Sequence, residues 1–120
     1  MEDRRRHPRI PFVMTVQSTR KGTQKTSEAF VRDICTHGIG LYTDEAYEKG
    51  DVLLIDISLQ DENKEQIRES ILGDVVWVER LQEGGQYAVG IRFDGMDRDK
   101  SKLYEHIRRL EQRMNYYQNS

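Results

Sequence analysis

Alternating hydrophobic and polar residues dominate the first three quarters of this 120-residue chain. In the run 52–59, Leu53, Ile55, Ile57 and Leu59 fall on one face, as they do in a half-buried β-strand. The same period of two, interrupted by turn residues such as Asp61-Glu62-Asn63 and Gly84-Gly85, predicts six strands. These are Phe12–Ser18, Glu28–Cys35, a third at Gly38–Tyr42, Val52–Leu59, Ser70–Val78 and Gln86–Phe93.

The period also assigns side chains to faces of these strands. In the second strand it places Val31, Asp33 and Cys35 on one side. In the last strand it places Gly90 opposite the face that carries the apolar residues Tyr87, Val89, Ile91 and Phe93. Trp77, in the fifth strand, is expected to be a core residue.

The spacing of apolar residues changes near the C-terminus. Intervals of four, three, four and three form a stripe along one side of a helix: Leu103, Ile107, Leu110, Met114 and Tyr117. Asp97 or Asp99 is a suitable N-cap for this helix. We expect the stripe to cover the core rather than to form an interface. The predicted fold is therefore mainly β, a six-stranded antiparallel β-barrel followed by a C-terminal α-helix.

Composition limits the classes of function. The chain has 19 Lys+Arg and 21 Asp+Glu, a net charge of −2, which argues against a general nucleic-acid binder. The single cysteine excludes an intramolecular disulfide and fits a reducing compartment. No apolar run approaches the roughly 20 residues of a membrane span. We therefore expect a cytoplasmic protein.

Catalytic and metal-binding patterns are not evident in the sequence. No nucleophile with its base and no Gly-rich phosphate loop ahead of a helix can be identified, which predicts a binding module and not an enzyme. Cys35 and His37 have no second Cys/His pair nearby, so we expect no metal and no cofactor.

Arginines and one aspartate provide the chemistry of a guanine-nucleotide site. Arginine's planar fork matches the O6 and N7 acceptors of guanine and also binds phosphate. An ionised carboxylate such as Asp33 accepts hydrogen bonds from the N–H donors on the opposite edge of the base. Four arginines in the first ten residues form a local cationic segment. These residues alone do not specify which nucleotide binds.

Two short motifs resemble the signatures of the PilZ family. Arg5 and Arg9 have the R-x-x-x-R spacing, and Asp33, Cys35 and Gly38 follow the pattern [D/N]-x-S-x-x-G, with cysteine in the position of the usual serine. The resemblance, which extends roughly from residue 3 to residue 93, implies a bacterial receptor for cyclic di-GMP. It implies that Arg5 and Arg9 wrap the phosphates and guanine edges of the ligand. It also implies that Asp33 accepts a hydrogen bond from a guanine.

The same resemblance assigns further ligand-binding residues. Cys35 lines the pocket, Gly38 lets the turn approach the base, and Gly90 belongs to the site. Arg4 matches an extra arginine that often precedes the pair, where it can reach a second stacked ligand. Because a thiol is a weaker hydrogen-bonding group than a hydroxyl, Cys35 is expected to weaken binding by roughly two- to twelvefold.

The chain divides into a basic flexible arm at 1–11, a PilZ-like barrel at 12–96 and a helix at 97–120, within one domain. We expect cyclic di-GMP to order the arm, and the ordered arm to relay the signal to a downstream protein partner in motility, biofilm or exopolysaccharide control. One alternative is a degenerate PilZ-like protein that no longer binds the nucleotide and acts through a protein partner. Another is a small nucleic-acid binder that uses the basic arm.

Overall fold

Six antiparallel strands form a closed barrel with one C-terminal helix, as the sequence predicted. The computed structural model describes residues 14–81, 84–95 and 101–119, with side chains up to residue 113. The elements are β1 Thr15–Arg20, β2 Thr26–Cys35, β3 Gly38–Thr43, β4 Val52–Gln60, β5 Gln66–Arg80, β6 Tyr87–Phe93 and α1 Lys102–Asn119. The strand order around the barrel is β1-β2-β3-β6-β5-β4. Because β1 pairs with both β2 and β4, the sheet closes on itself and has no open edge.

Strand ends differ from the prediction where tertiary pairing extends them. β5 begins at Gln66, earlier than the predicted Ser70, because the β4–β5 ladder continues to the pair Gln60 and Gln66. The predicted turn at Asp61 is confirmed. The Asp61 carboxylate accepts hydrogen bonds from the backbone N–H groups of Asn63, at 2.8 Å, and Glu65, at 2.9 Å. β1 continues to Arg20, and its predicted start at Phe12 lies outside the described residues.

The barrel interior is filled mainly by branched aliphatic side chains, which come from every strand. Leu53, Ile55 and Ile57 alternate inward along β4, and each is almost completely buried. Burying one such side chain stabilises the fold by about 1.5–3 kcal/mol. Residues from the other strands that share this core are Val16, Ala29, Val31, Ile34, Ile39, Leu41, Ile67, Ile71, Val75, Val89, Ile91 and Phe93.

A β-bulge in β2 corrects the predicted side-chain faces. Val31 pairs with Leu41, and the next pair is Asp33 with Gly40, so Arg32 is an extra residue in β2. The extra residue reverses the alternation. Val31 points into the core, whereas Asp33 is partly exposed on the outer surface, so these two side chains do not share a face as predicted.

Helix α1 begins at Lys102, not near Asp97 or Asp99, which lie outside the described residues. Ser101 is the N-cap, because its hydroxyl oxygen accepts a hydrogen bond from the backbone N–H of Tyr104 at 2.9 Å. The Glu69 carboxylate on β5 accepts from the Ser101 hydroxyl, at 2.7 Å, and from the Leu103 N–H, at 3.1 Å. A barrel strand therefore fixes the start of the helix.

The apolar stripe of α1 packs on the barrel, as predicted. Leu103 and Ile107 are almost completely buried in the core, and Leu110 is partly buried against it. The predicted stripe residues Met114 and Tyr117 lie beyond the described side chains. Of the helical residues described, none belongs to a segment with the length and apolar character that a membrane crossing requires.

Candidate ligand-binding site

Four residues form a row across four adjacent strands on the outer surface of the barrel. Asp33 on β2 pairs with Gly40 on β3, which pairs with Gly90 on β6, which pairs with Trp77 on β5. We call this set the site row. It has a carboxylate at one end, an aromatic ring at the other and two glycines between them.

The two glycines of the site row leave space for the side chains beside them. A Cβ at Gly40 would lie 2.8 Å from Oδ1 of Asp33. A Cβ at Gly90 would lie 2.0 Å from Nε1 of Trp77, a distance that no pair of non-bonded heavy atoms tolerates. The indole of Trp77 therefore lies over Gly90, on the outer surface.

Trp77 is not the core residue that its hydrophobicity suggested. Its relative exposure is 37%, and it lies next to a second irregularity, in which Val76 is an extra residue between the β5–β6 pairs of Val75 and Trp77. The two β-bulges thus flank the two ends of the site row. Bulges of this kind commonly redirect side chains at binding sites.

Arg32, the extra residue of the β2 bulge, connects the two ends of the site row. Its guanidinium carbon lies 5.8 Å from the centre of the Trp77 ring, within the range of a cation–π contact. Its Nε lies 3.7 Å from Oδ2 of Asp33. A cation, a carboxylate and an aromatic ring therefore meet over a surface without intervening side chains at Gly40 and Gly90.

The β2–β3 turn, Cys35-Thr36-His37-Gly38, is fixed by hydrogen bonds from within and from the helix. The Cys35 sulfur is 3.4 Å from the backbone N–H of His37, which donates to it. The carboxylate of Glu111 on α1 accepts from the buried backbone N–H of Thr36 at 2.9 Å. A buried N–H without a partner costs about 1–3 kcal/mol, so Glu111 is an important support of this turn.

Gly38 has a packing role that the sequence did not reveal. A Cβ at Gly38 would lie 2.3 Å from the backbone oxygen of Ile91 on β6. The backbone N–H of Phe93 donates to the His37 oxygen at 2.8 Å, which holds the same strand against the turn. Close approach of β3 and β6 is sufficient to require glycine at this position.

The structure brings together four of the seven predicted ligand-binding residues. Asp33 and Gly90 are in the site row, and Cys35 and Gly38 form a pair two positions further along β2 and β3. Cys35 itself is buried, with 5% exposure. The other three predicted residues, Arg4, Arg5 and Arg9, lie outside the described residues.

Sequence reasoning missed Arg32, Gly40, Thr36 and Glu111. The period of two carries no signal for an extra residue, so Arg32 was assigned no role. Glu111 had a detectable signal, because it follows Ile107 by four positions and therefore falls on the buried side of the helix. Its burial, at 6% exposure, agrees with that spacing.

A second polar cluster lies away from the site row, around a cavity of about 60 Å³ that Arg20, Lys25, Glu45 and Tyr47 help to line. Hydrogen bonds from Lys25 and then Ser27 lower the pKa of the Glu45 carboxyl. Burial raises the pKa of the Tyr47 phenol, whose oxygen is 2.7 Å from the Ser18 hydroxyl. The Arg20 guanidinium lies 5.3 Å from the centre of the Tyr47 ring, and its Nε is 3.2 Å from the Asp51 carboxylate, so we assign the cluster a structural role.

A larger depression of about 480 Å³ lies over β1, β4 and β5. Its two carboxylates are used internally: Asp56 accepts from Ser70, and Glu69 caps α1. Within the described side chains, no three His, Cys, Asp or Glu residues are grouped as metal ligands. The site row therefore remains the most distinctive group of outward-facing residues.

Several solved structures have the same fold. The PilZ domain with c-di-GMP of YcgR from Escherichia coli has a TM-score of 0.68 and 14% identity, and the match covers 98% of both chains. The Bacillus subtilis inhibitor of motility (MotI/DgrA) has a TM-score of 0.68 and 15% identity, over 95% of this chain and 53% of the other. K. pneumonia MrkH in its apo state has a TM-score of 0.63 and 14% identity, over 98% of this chain and 55% of the other.

These similarities establish the fold, and the chain spans only about half the length of the Bacillus and Klebsiella proteins. No individual curated protein matches the sequence. The family is identified by the sequence itself, which matches the PilZ domain over residues 3–113. The two motifs found in the sequence and the closed six-stranded barrel agree with that match. The chain therefore belongs to the PilZ domain family.

Proposed function

We propose that this chain is a cyclic di-GMP receptor that acts on a protein partner. Membership of the PilZ family, whose domains are non-enzymatic receptor or effector domains, supports a module of cyclic di-GMP signalling. The observation that carries the proposal is the site row, in which the Asp33 carboxylate lies beside Gly40 and the Trp77 ring lies over Gly90. A planar base that lies along this row can donate to Asp33 from its N–H edge.

The remaining contacts would come from the N-terminal arm. Arg5 and Arg9 would bind the phosphates and guanine edges through charge-assisted bonds, and Arg4 could reach a second stacked ligand. Cys35 and Gly38 would border the ligand from the β2–β3 turn. These arginines lie outside the described residues, so their roles rest on the family pattern alone.

Calorimetric titration with cyclic di-GMP, cyclic di-AMP and GTP tests the proposal. We expect cyclic di-GMP to bind at micromolar concentration or tighter, about −8 kcal/mol, and the other two nucleotides to bind far more weakly. Asp33→Asn should reduce the affinity for cyclic di-GMP more than tenfold. Asp44→Asn removes the same charge from an exposed residue outside the site row and should leave binding unchanged. Equal affinity for the adenine dinucleotide would contradict the proposal.

The relay to a partner requires a change in the arm. Hydrogen exchange on residues 3–12, with and without cyclic di-GMP, should show protection that appears only with the nucleotide, because phosphate contacts would offset the entropy of ordering. Full protection in the free protein would contradict a ligand-ordered arm.

A PilZ domain that does not bind the nucleotide and acts through a protein partner is the second candidate. It is favoured by one observation: the Cys35 sulfur, in the position of the usual serine, already accepts from the His37 N–H. Cys35→Ser decides between the two. If the parent protein binds cyclic di-GMP and Cys35→Ser binds it up to about tenfold more tightly, the result supports the receptor. Binding that appears only in the serine variant supports the degenerate domain.

A further inference from the structure

The bulge in β2 places a cation and an anion side by side on one face. Neighbouring residues in a regular strand point to opposite faces. Here Arg32 and Asp33 both reach the outer surface, with side-chain exposures of 44% and 18%. Their nearest charged atoms, Nε and Oδ2, are 3.7 Å apart.

Trp77 fixes the position of the Arg32 side chain. The guanidinium lies over its ring, and the ring is held above the barrel wall because Gly90 leaves no side chain beneath it. The guanidinium is thereby held beside Asp33 and along the site row, with a planar fork of N–H donors. The Arg32 guanidinium, which donates hydrogen bonds, therefore lies next to the Asp33 carboxylate, which accepts them.

We propose that Arg32 and Asp33 together read the edge of a guanine base, and that Arg32 is a specificity-determining residue; this inference rests on the proposed function. Guanine presents the O6 acceptor next to its N1–H and N2–H donors, which match the Arg32 donors and the Asp33 acceptor. Adenine presents an amino donor at the position of O6 and an acceptor at N1. Both contacts are reversed for adenine.

The existing contact between Arg32 and Asp33 does not oppose this role strongly. The 3.7 Å separation is longer than a hydrogen bond, and water reaches the half-exposed Arg32, so this ion pair contributes little. A base that inserts its edge between the two groups replaces that weak contact with two directed hydrogen bonds. Loss of Arg32 should therefore weaken guanine binding and not strengthen it.

Three variants test the inference by calorimetry with cyclic di-GMP and cyclic di-AMP. Arg32→Ala should weaken cyclic di-GMP binding about tenfold and leave cyclic di-AMP binding unchanged, so that selectivity falls. Arg32→Lys keeps the charge but lacks the planar fork, and it should lose most of the same selectivity. Arg68→Ala removes an exposed arginine of β5 outside the site row and should bind like the parent.

Several results would overturn the inference. Full selectivity in Arg32→Lys would mean that only the positive charge of Arg32 matters. An equal loss of cyclic di-GMP affinity in Arg68→Ala would mean that removing any surface arginine weakens binding. Tighter binding by Arg32→Ala would make Arg32 a competitor for Asp33. If the parent binds cyclic di-GMP and Arg32→Ala binds equally well, the inference fails but the proposed function stands. If the parent binds none of the nucleotides, both fail.

Tryptophan emission provides an independent measurement. Trp77 is the only tryptophan in the chain, so its fluorescence reports the Arg32 contact without a label. Cyclic di-GMP should change the emission of the parent, and Arg32→Ala should change the emission of the free protein. Unchanged emission in both cases would overturn the placement of Arg32 against Trp77.

Discussion

Two parts of the barrel wall differ in regularity. The β4–β5 ladder runs without interruption from the pair Val52 and Asp74 to the pair Gln60 and Gln66. We call it the regular wall. The site wall, formed by β2, β3, β6 and the second half of β5, contains a register shift in β2–β3 and another in β5–β6.

The difference separates stability from recognition within one sheet. Regular pairing keeps inward residues such as Leu53 and Ile55 in the core. Each bulge interrupts the local pairing, and the one in β2 brings to the outer surface a residue that alternation alone would turn inward, Asp33. The protein therefore retains its fold through one wall while the other supplies an irregular, chemically mixed surface.

The largest expected effect is on the regular wall. Ile55→Ala removes a completely buried side chain and should lower the free energy of unfolding by about 2–5 kcal/mol. Urea denaturation measures the loss. The folded fraction should still bind cyclic di-GMP with the affinity of the parent, because Ile55 is on the opposite face of the sheet from the site row. A large change in intrinsic affinity would contradict the separation.

Gly90→Ala makes the complementary change in the site wall. The new Cβ would overlap Nε1 of Trp77, so the indole must move, at a cost of about 1–3 kcal/mol in stability. Nucleotide binding should fall more than tenfold, and tryptophan emission should shift. Adding Trp77→Ala removes the clash and should restore stability but not binding. A double variant as unstable as Gly90→Ala would show that Trp77 is not the neighbour that matters.

Glu111 links the helix to the site wall. Glu111→Leu removes the acceptor for the buried Thr36 N–H and should cost about 1–3 kcal/mol, measured by urea denaturation. Glu111→Gln retains an acceptor oxygen and should recover much of the loss. If both variants are equally unstable, the carboxylate charge matters more than the hydrogen bond.

The smallest expected effect involves the contact of α1 with the regular wall. Burial, followed by the charge of Arg109, lowers the pKa of His106, while Glu62 and Asp61 act in the opposite direction and Arg113 in the same direction. The unfolded chain therefore binds a proton more readily than the folded protein. Stability should be full above the ordinary histidine pKa of about 6.5 and fall as the pH drops through the lower folded value, by no more than about 1.4 kcal/mol per pH unit.

Denaturation between pH 7.5 and pH 5 measures this dependence, and His106→Gln is the control. The variant should lose the part of the slope that belongs to His106. A slope unchanged in the variant would assign the pH dependence to other groups.

The sequence predicted the parts of the structure that follow a regular period. Six strands, the hairpin glycines at 84 and 85 and the buried stripe beginning with Leu103 all follow from alternation or helical spacing. The predicted N-cap, Asp97 or Asp99, was wrong. The helix begins after Ser101, which is stabilised by Glu69, a distant strand residue that local capping preferences do not include. Tertiary contact decided between several acceptable caps.

The candidate site was predicted less completely. The motif residues Asp33 and Gly38 were found by resemblance. The prediction that Val31 and Asp33 share a face was wrong, because the pattern of hydrophobic residues does not reveal a bulge. Trp77 was assigned to the core because a large apolar side chain usually lies there. Its outward position depends on Gly90 of a different strand, and no local pattern relates the two residues.

The extra residue in β2 also determines where the length of this strand can change. Deleting Arg32 would make Val31 and Asp33 neighbours, with Val31 still inward and Asp33 still outward, because the pairs Val31–Leu41 and Asp33–Gly40 already follow each other. Deleting a regularly paired residue of the same strand, such as Phe30, would turn the residues on one side of the deletion to the opposite face. We therefore expect the barrel to tolerate the loss of Arg32 far better than the loss of a regularly paired residue of β2.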